Sequence, residues 1–294
     1  SFGKYRIINH SYRQTLENLF ANSASLLRLA ILNCVTSVTI DLSTAGKNHR
    51  LPSNKTVAKF VLLLTYRKLK RLFYGLFGRR DWKIAETSPL STEALKPIRI
   101  IDLFNPIKPP RETSFIADPF ILPSGDLIFE AAQKNSELGQ LMTLSDGRMS
   151  LIDTSLIGKH NHLSFPFVTQ TDDKYFIMPE MAQSGAQLLC ELQNNAIIKT
   201  YKMVGLDNER LIDPILLHRN ETWWLFAGKL GNEFDHLFAW SSSNLFGPYK
   251  PHVMNPVVVD PSRARNAGGF VNFGTDLYRL GQNNCREYGD GVTV

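Results

Sequence analysis

A chain of 294 residues, 43% apolar and 20% charged, suits one large domain or two ordinary ones and excludes a disordered chain. The formal charge of +6 is local: residues 47 to 80 hold ten Lys and Arg, so the remainder is slightly acidic. That distribution speaks against a general nucleic-acid binder. Cys34, Cys190 and Cys285 are far apart and odd in number, which gives neither a metal spacing nor a disulfide framework. They read as reduced thiols, and the expected location is cytoplasmic.

The first 80 residues carry helical spacing, with Leu16, Leu19 and Phe20 in one stretch and Val57, Phe60, Leu64, Leu69, Leu72 and Phe73 in another. The apolar runs at 23–38 and 60–66 are too short or too interrupted to cross a bilayer, and no signal peptide is evident. "YRKLKRLFYGLFGRR" (66–80) interleaves cations with Leu and Phe. It is a candidate for peripheral contact with an anionic membrane. The expectation it competes with, and yields to, is an amphipathic helix packed on the rest of the protein with its cations in water.

From Trp82 onward the texture is that of strands: short runs rich in Phe, Ile, Val and Trp, punctuated by Gly, Asn, Asp and Pro. The segments starting at Ala117 ("ADPFILPSGDLIFEA"), Ser164 ("SFPFVTQTDDKYFIMPE") and Ile212 ("IDPILLHRNETWWLFAG") repeat one pattern. Their prolines, Pro119, Pro166 and Pro214, are 47 and 48 residues apart. Each is followed by an apolar strand, a polar turn (Ser124-Gly125, Asp172-Asp173, Asn220-Glu221) and an aromatic-rich strand. A looser fourth copy, "NAGGFVNFGTDLYRLGQ" (266–282), has Ala267-Gly268 in place of Asp-Pro. A period near fifty residues with several strands per unit predicts a β-propeller. Strands around Trp82–Ile84 and Ile98–Ile101 are assigned to a closing blade, for five blades with the last incomplete. The domains expected are an α-rich segment, 1–80, and a propeller, 81–294.

The innermost strand of each blade lines a central channel, so a residue at its start faces whatever enters. Asp118 and Asp213 hold that place in two repeats, and Glu180 ends the second strand of its repeat as Glu130 does in the first. Paired carboxyls around a cavity suit glycosidic chemistry: one protonates a leaving oxygen while the other attacks, stabilises or serves as base. The competing reading is that Asp-Pro only caps a turn. His162, just before an inner strand, is expected to donate a hydrogen bond into the channel. A metal is not expected, because His160 and His162 have no third ligand nearby. In "PSRARNAGG" (261–269), Arg263 and Arg265 would share a face of a strand and suit a carboxylate or phosphate. No phosphate loop or dinucleotide fingerprint is present, so no cofactor is expected.

In order along the chain come "FIADPF", "HLSFPFV", "MPE", "LIDPILL" with "WWLFAG", "LFGPYKPHVMNPVVVD", "ARNAGG" and "LYRLGQN" followed by "YG". Together they resemble the N-terminal domain of glucosamine inositolphosphorylceramide transferases, over about residues 80 to 294. The resemblance implies a five-bladed propeller similar to the arabinanase, levansucrase and invertase group. It also implies that Asp118, His162, Glu180, Asp213, Arg265 and Gln282 stand at motif positions. The invertase-like hydrolases run Asp, Asp, Glu along the chain, whereas this one runs Asp118, Glu180, Asp213. Bacterial members often follow a formyltransferase-like region, of which residues 1–80 resemble a shortened remnant without its Asn-His-Asp constellation.

The expected function is a carbohydrate-active propeller in surface-glycan or glycolipid synthesis. Asp118, Glu180 and Asp213 are the catalytic candidates. His162, Arg263, Arg265 and Gln282 are the candidates for binding a sugar, nucleotide-sugar or glycolipid. The alternatives are a non-catalytic glycan-binding module that serves a separate transferase domain, and a structural scaffold.

Overall fold

The computed structural model describes residues 3–35, 50–78, 82–87, 105–134, 136, 138–158 and 161–294. Two helices open the chain, α1 (Tyr12–Val35) and α2 (Asn54–Phe77). A two-stranded ladder follows, β1 (Ala85–Glu86) with β2 (Asn105–Pro106).

The repeats then build antiparallel meanders, each strand pairing with the next. Blade 1 is β3 (Thr113–Ile121), β4 (Leu127–Gln133), β5 (Gly139–Ser145) and β6 (Arg148–Leu151). Blade 2 is β7 (Ser164–Thr171), β8 (Lys174–Glu180), β9 (Leu188–Gln193) and β10 (Ala196–Lys202). Blade 3 is β11 (Leu211–Arg219), β12 (Thr222–Lys229), β13 (His236–Ser242) and β14 (Lys250–Pro251), with β15 (Val258–Val259) also on β13. Blade 4 is β16 (Asn266–Phe273), β17 (Asp276–Asn283) and β18 (Gly291–Thr293).

The turns follow from their residues. Asp146-Gly147, Asp172-Asp173, Asn194-Asn195 and Asn220-Glu221 have positive φ at both positions, the type I′ geometry whose twist matches a hairpin. Asn and Asp tolerate that region better than other side chains, whereas Glu221 does not share the advantage.

The first strands of the blades contact one another in a closed circuit: β3 on β7, β7 on β11, β11 on β16, and β16 back on β3. That circuit defines a propeller axis. Among the described residues the ring therefore has four blades, a correction to the five expected, because β16 meets β3 without another innermost strand between them. Residues 82–86 join the first and last blades instead. The Trp82 carbonyl accepts from Ile116 N–H (3.4 Å), its ring packs on Tyr288 (5.5 Å), and Ile84 is buried with Ile116 and Phe129. The strand expected at Ile98–Ile101 lies outside the described residues.

Apolar side chains pack mainly between blades. Phe165, Met178, Leu189, Leu211, Leu225 and Trp240 fill the space between blades 2 and 3, and Ile128, Leu141, Ile177 and Cys190 that between blades 1 and 2. Helix α1 docks on blade 3: buried Asn22 donates to Asp235 (2.8 Å) and Arg28 to the Val253 carbonyl (3.0 Å). Helix α2 begins with Ser53 as N-cap and has no buried residue. The expectation that the basic helix packs on the propeller is thus corrected. Its side chains meet the N-terminal part of the chain instead: Phe60 lies edge-on to Tyr12 and Arg71 bonds His10.

Candidate functional site

Each innermost strand is interrupted near its start by a bulge. Asp118 and Pro119 oppose one residue between the pairs Ala117↔Glu130 and Phe120↔Ile128; Asp213 and Pro214 do the same in blade 3, and Phe165 and Pro166 in blade 2. Asp118, Phe165 and Asp213 have φ of 51°, 44° and 47°. Left-handed backbone before proline is doubly disfavoured, by its own Cβ and by the following ring. A bulge re-aims a side chain, and strain of this kind concentrates at functional sites. In blade 4 the bulge between Asn266 and Phe270 contains Gly268 at φ 141°.

Two carboxyl pairs result. Asp118 is hydrogen-bonded to Glu130, and Asp213 to Glu180. Glu130 is raised to about 9 by burial first, then by the charges and hydrogen bond of Asp118 and the charge of Asp213. Glu180 is raised to about 9 by burial, then by the charge and hydrogen bond of Asp213. Asp118 is raised to about 6, first by the protein packed around its carboxyl and then by Asp213, with Glu130 and Arg265 opposing. Glu130 and Glu180 therefore keep their protons near neutrality, each beside the aspartate it is paired with.

Asp213 is 2% exposed and is held from all sides. Arg265 grips it through Nε to Oδ2 (2.5 Å) and Nη2 to Oδ1 (3.3 Å). Its backbone N–H donates to Glu180 Oε2 (3.1 Å), and Gln282 Nε2 reaches Oδ2 (3.4 Å). Buried Asn266 ties three blade elements together, donating to the Asp213 carbonyl (2.6 Å) and the Phe226 carbonyl (3.1 Å), and accepting from Arg279 (2.8 Å). Burial alone would lower the Arg265 pKa, but Asp213, with Tyr288 and Glu180, raises it. The Arg265 guanidinium lies 4.9 Å from the Tyr288 ring centre. Gln282 Oε1 is buried and has no partner among the described residues.

His162 sits beside blade 1's pair. Its Nδ1 accepts from Gly139 N–H (2.8 Å), so the neutral ring carries its proton on Nε2, 3.7 Å from Glu130 Oε1. Burial lowers its pKa. Gly139 is required by that closeness: a β-carbon there would collide with Glu130 Oε1 and approach the Leu163 carbonyl to 2.7 Å.

Of the sequence candidates, Asp118, Glu180, Asp213, Arg265 and Gln282 meet at the axis, and His162 flanks them. Arg263 does not join them. It lies in a turn before β16, its side chain is 62% exposed, and it pairs with Asp260 (3.4 Å). Three members were not selected from sequence: Glu130, Asn266 and Tyr288. The symmetry of Glu130 with Glu180 at the ends of second strands was a usable signal. Tyr288 had none beyond the "YG" motif.

Among the described residues no three His, Cys, Asp or Glu side chains are spaced to hold a metal ion. A groove of about 570 Å³ between the hairpin tips of blades 1 and 2, lined by Asp126, Lys174, Tyr175 and Glu191 among others, shares no residue with the axial cluster.

Residues 100–294 match the family model for the N-terminal region of glucosamine inositolphosphorylceramide transferase 1. The chain belongs to this family. Relatives bearing that enzyme's name occur in Oryza sativa subsp. japonica, 29% identical over 194 residues, and in Arabidopsis thaliana, 27% identical over 194 residues. Both alignments take in 62% of this chain but 26% and 25% of the relatives, so the chain spans about a quarter of their length. Among solved structures, a GH43 β-1,3-galactosidase aligns at 9% identity and TM-score 0.45, over 59% of this chain and 41% of its own. A GH43 endo-arabinanase from Bacillus licheniformis aligns at 15% identity and TM-score 0.38, over 60% and 70% respectively.

Proposed function

We propose that the propeller axis is an acidic site that binds the sugar of a glycan, nucleotide-sugar or glycolipid and performs acid–base chemistry on it in glycolipid or surface-glycan synthesis. The observation that carries this reading is the placement, twice, of a glutamic acid on a second strand against an aspartate in the bulge of an innermost strand. Separated pKa values in adjacent carboxyls supply a proton donor and a proton acceptor at one place. Asp118, partly exposed, is the base toward a sugar hydroxyl. Glu130 and Glu180 hold the protons, and His162 Nε2–H offers a further donor. Gln282 Oε1, buried without a partner among the described residues, is an acceptor for a ligand hydroxyl. The relatives' name, a glucosamine transferase acting on inositolphosphorylceramide, supports a sugar-bearing lipid as substrate class.

Turnover is expected to rise through about pH 6 as Asp118 ionises and to fall through about pH 9 as the glutamic acids lose their protons. The test is calorimetric binding and turnover with nucleotide-sugars and glycans, comparing wild type with Asp118→Asn and Gln282→Ala. The reading requires Asp118→Asn to abolish turnover and Gln282→Ala to weaken binding. Ligand binding unchanged in both variants would refute the site. A second reading, a glycan-binding module without chemistry, is favoured by Asp213, whose two oxygens are both committed to Arg265. Sugar binding that depends on Gln282, with no turnover by wild type, would select it.

A further inference from the structure

Helix α2 is 24 residues long and not one of them is buried. Its sequence separates into two arcs over its second half. Leu62, Tyr66, Leu69, Phe73 and Leu76 follow one another at spacings of four and three, which places them in one stripe. All five are between 61% and 71% exposed. Arg67, Lys68, Lys70 and Arg71 fall on the opposite arc. An apolar stripe of this extent facing water is not a resting state for an isolated helix, so it has a partner.

Charge decides which partner. Between Asn54 and Phe77 there are six cations, Lys55, Lys59, Arg67, Lys68, Lys70 and Arg71, and no acid. A second copy laid along the stripe would add six more cations and no acid to neutralise them, whereas helix pairs need opposite charges. A bilayer with anionic headgroups satisfies both arcs: the stripe enters the acyl boundary while Lys and Arg reach the headgroups. The helix cannot instead cross the bilayer, because no described helix is long and apolar enough to do so.

We propose that α2 is a membrane-surface anchor that lies in the plane of an anionic leaflet. Its position relates it to the axial cluster. Arg71 bonds His10 (2.6 Å), and Arg6, four residues earlier, stacks on Phe234 (4.8 Å). The same Phe234 ring lies 5.9 Å from the Arg265 guanidinium. The anchor is thus linked, through the N-terminal segment and Phe234, to the neighbourhood of Arg265. The inference stands apart from the proposed chemistry, because binding to vesicles needs no sugar and no turnover.

The experiment is flotation of the purified chain with phosphatidylcholine vesicles, with and without about 30 mol% phosphatidylserine. The expected result is binding to the serine-containing vesicles, weak binding to phosphatidylcholine alone, and loss of binding as salt is raised from about 0.1 M to about 0.5 M. Arg67→Glu with Lys68→Glu and Lys70→Glu, and separately Leu69→Ser with Phe73→Ser, should each cut binding at least about tenfold. Neither set should move the thermal unfolding of the propeller, since α2 buries nothing. No binding to anionic vesicles by wild type overturns the proposal, as does binding that both variants retain. So does a concentration-dependent dimer in sedimentation velocity that Leu69→Ser with Phe73→Ser dissolves while vesicles fail to bind.

Discussion

Replacing Glu130 with glutamine tests whether the buried carboxyl is protonated in the folded state. The folded pKa is about 9 against an ordinary 4.5. Between these values the unfolded chain has released its proton while the native state keeps it, so the native state binds more protons and stability falls as pH rises. The contribution is intact below the unfolded value and is lost as pH climbs toward 9. From about pH 5 to about pH 7.5 the loss accumulates over about 2.5 pH units at about 1.4 kcal/mol each, roughly 3 kcal/mol. Glu130→Gln cannot titrate, and its amide N–H still donates to Asp118, so the variant avoids this loss. Glu180 adds the same slope to both proteins and cancels. The assay is urea unfolding of wild type and variant at both pH values. The gap between them should move by roughly 3 kcal/mol in favour of the variant at the higher pH. Stability curves that stay parallel within about 0.5 kcal/mol would mean that Glu130 is ionised when folded, and the acid–base assignment of the pair would fall with it.

Arg265→Met should destabilise by about 3 kcal/mol or more, because it leaves the 2% exposed Asp213 carboxylate without its countercharge. A loss under about 1 kcal/mol in chemical unfolding would show that Asp213 does not depend on the ion pair. Glu221→Gly, in a turn where that residue has φ 55°, should stabilise by about 0.5–1 kcal/mol, measured by urea unfolding. An unchanged or reduced stability would contradict the strain assigned to that position.

Much of the blade plan was legible because it rests on local chemistry. The prolines at 119, 166 and 214 mark where each innermost strand bends, and the aromatic second strands and Asn or Asp turns follow at fixed distances. The equivalence of Asp118 and Asp213 was also visible, and in the structure both occupy the same left-handed bulge position. The arginine pair shows where local reading stops. A strand through Arg263 would have put both guanidinium groups on one face, but β16 starts only at Asn266, and the preceding turn sends Arg263 to Asp260 and solvent.

Sequence by itself determined the paired strands of the repeats and their turns, since each depends on a side chain and its immediate backbone. Closure of the ring at four blades among the described residues was a tertiary outcome, because it depends on how β16 meets β3 across more than 140 residues of chain. So was the choice of partners among the acids. Glu130 and Glu180 look alike in sequence, yet Glu130 serves the aspartate of its own blade and Glu180 that of the next. Which carboxyl keeps a proton depends on burial and on the distance to a neighbouring charge, quantities that exist only once the blades are assembled around the axis.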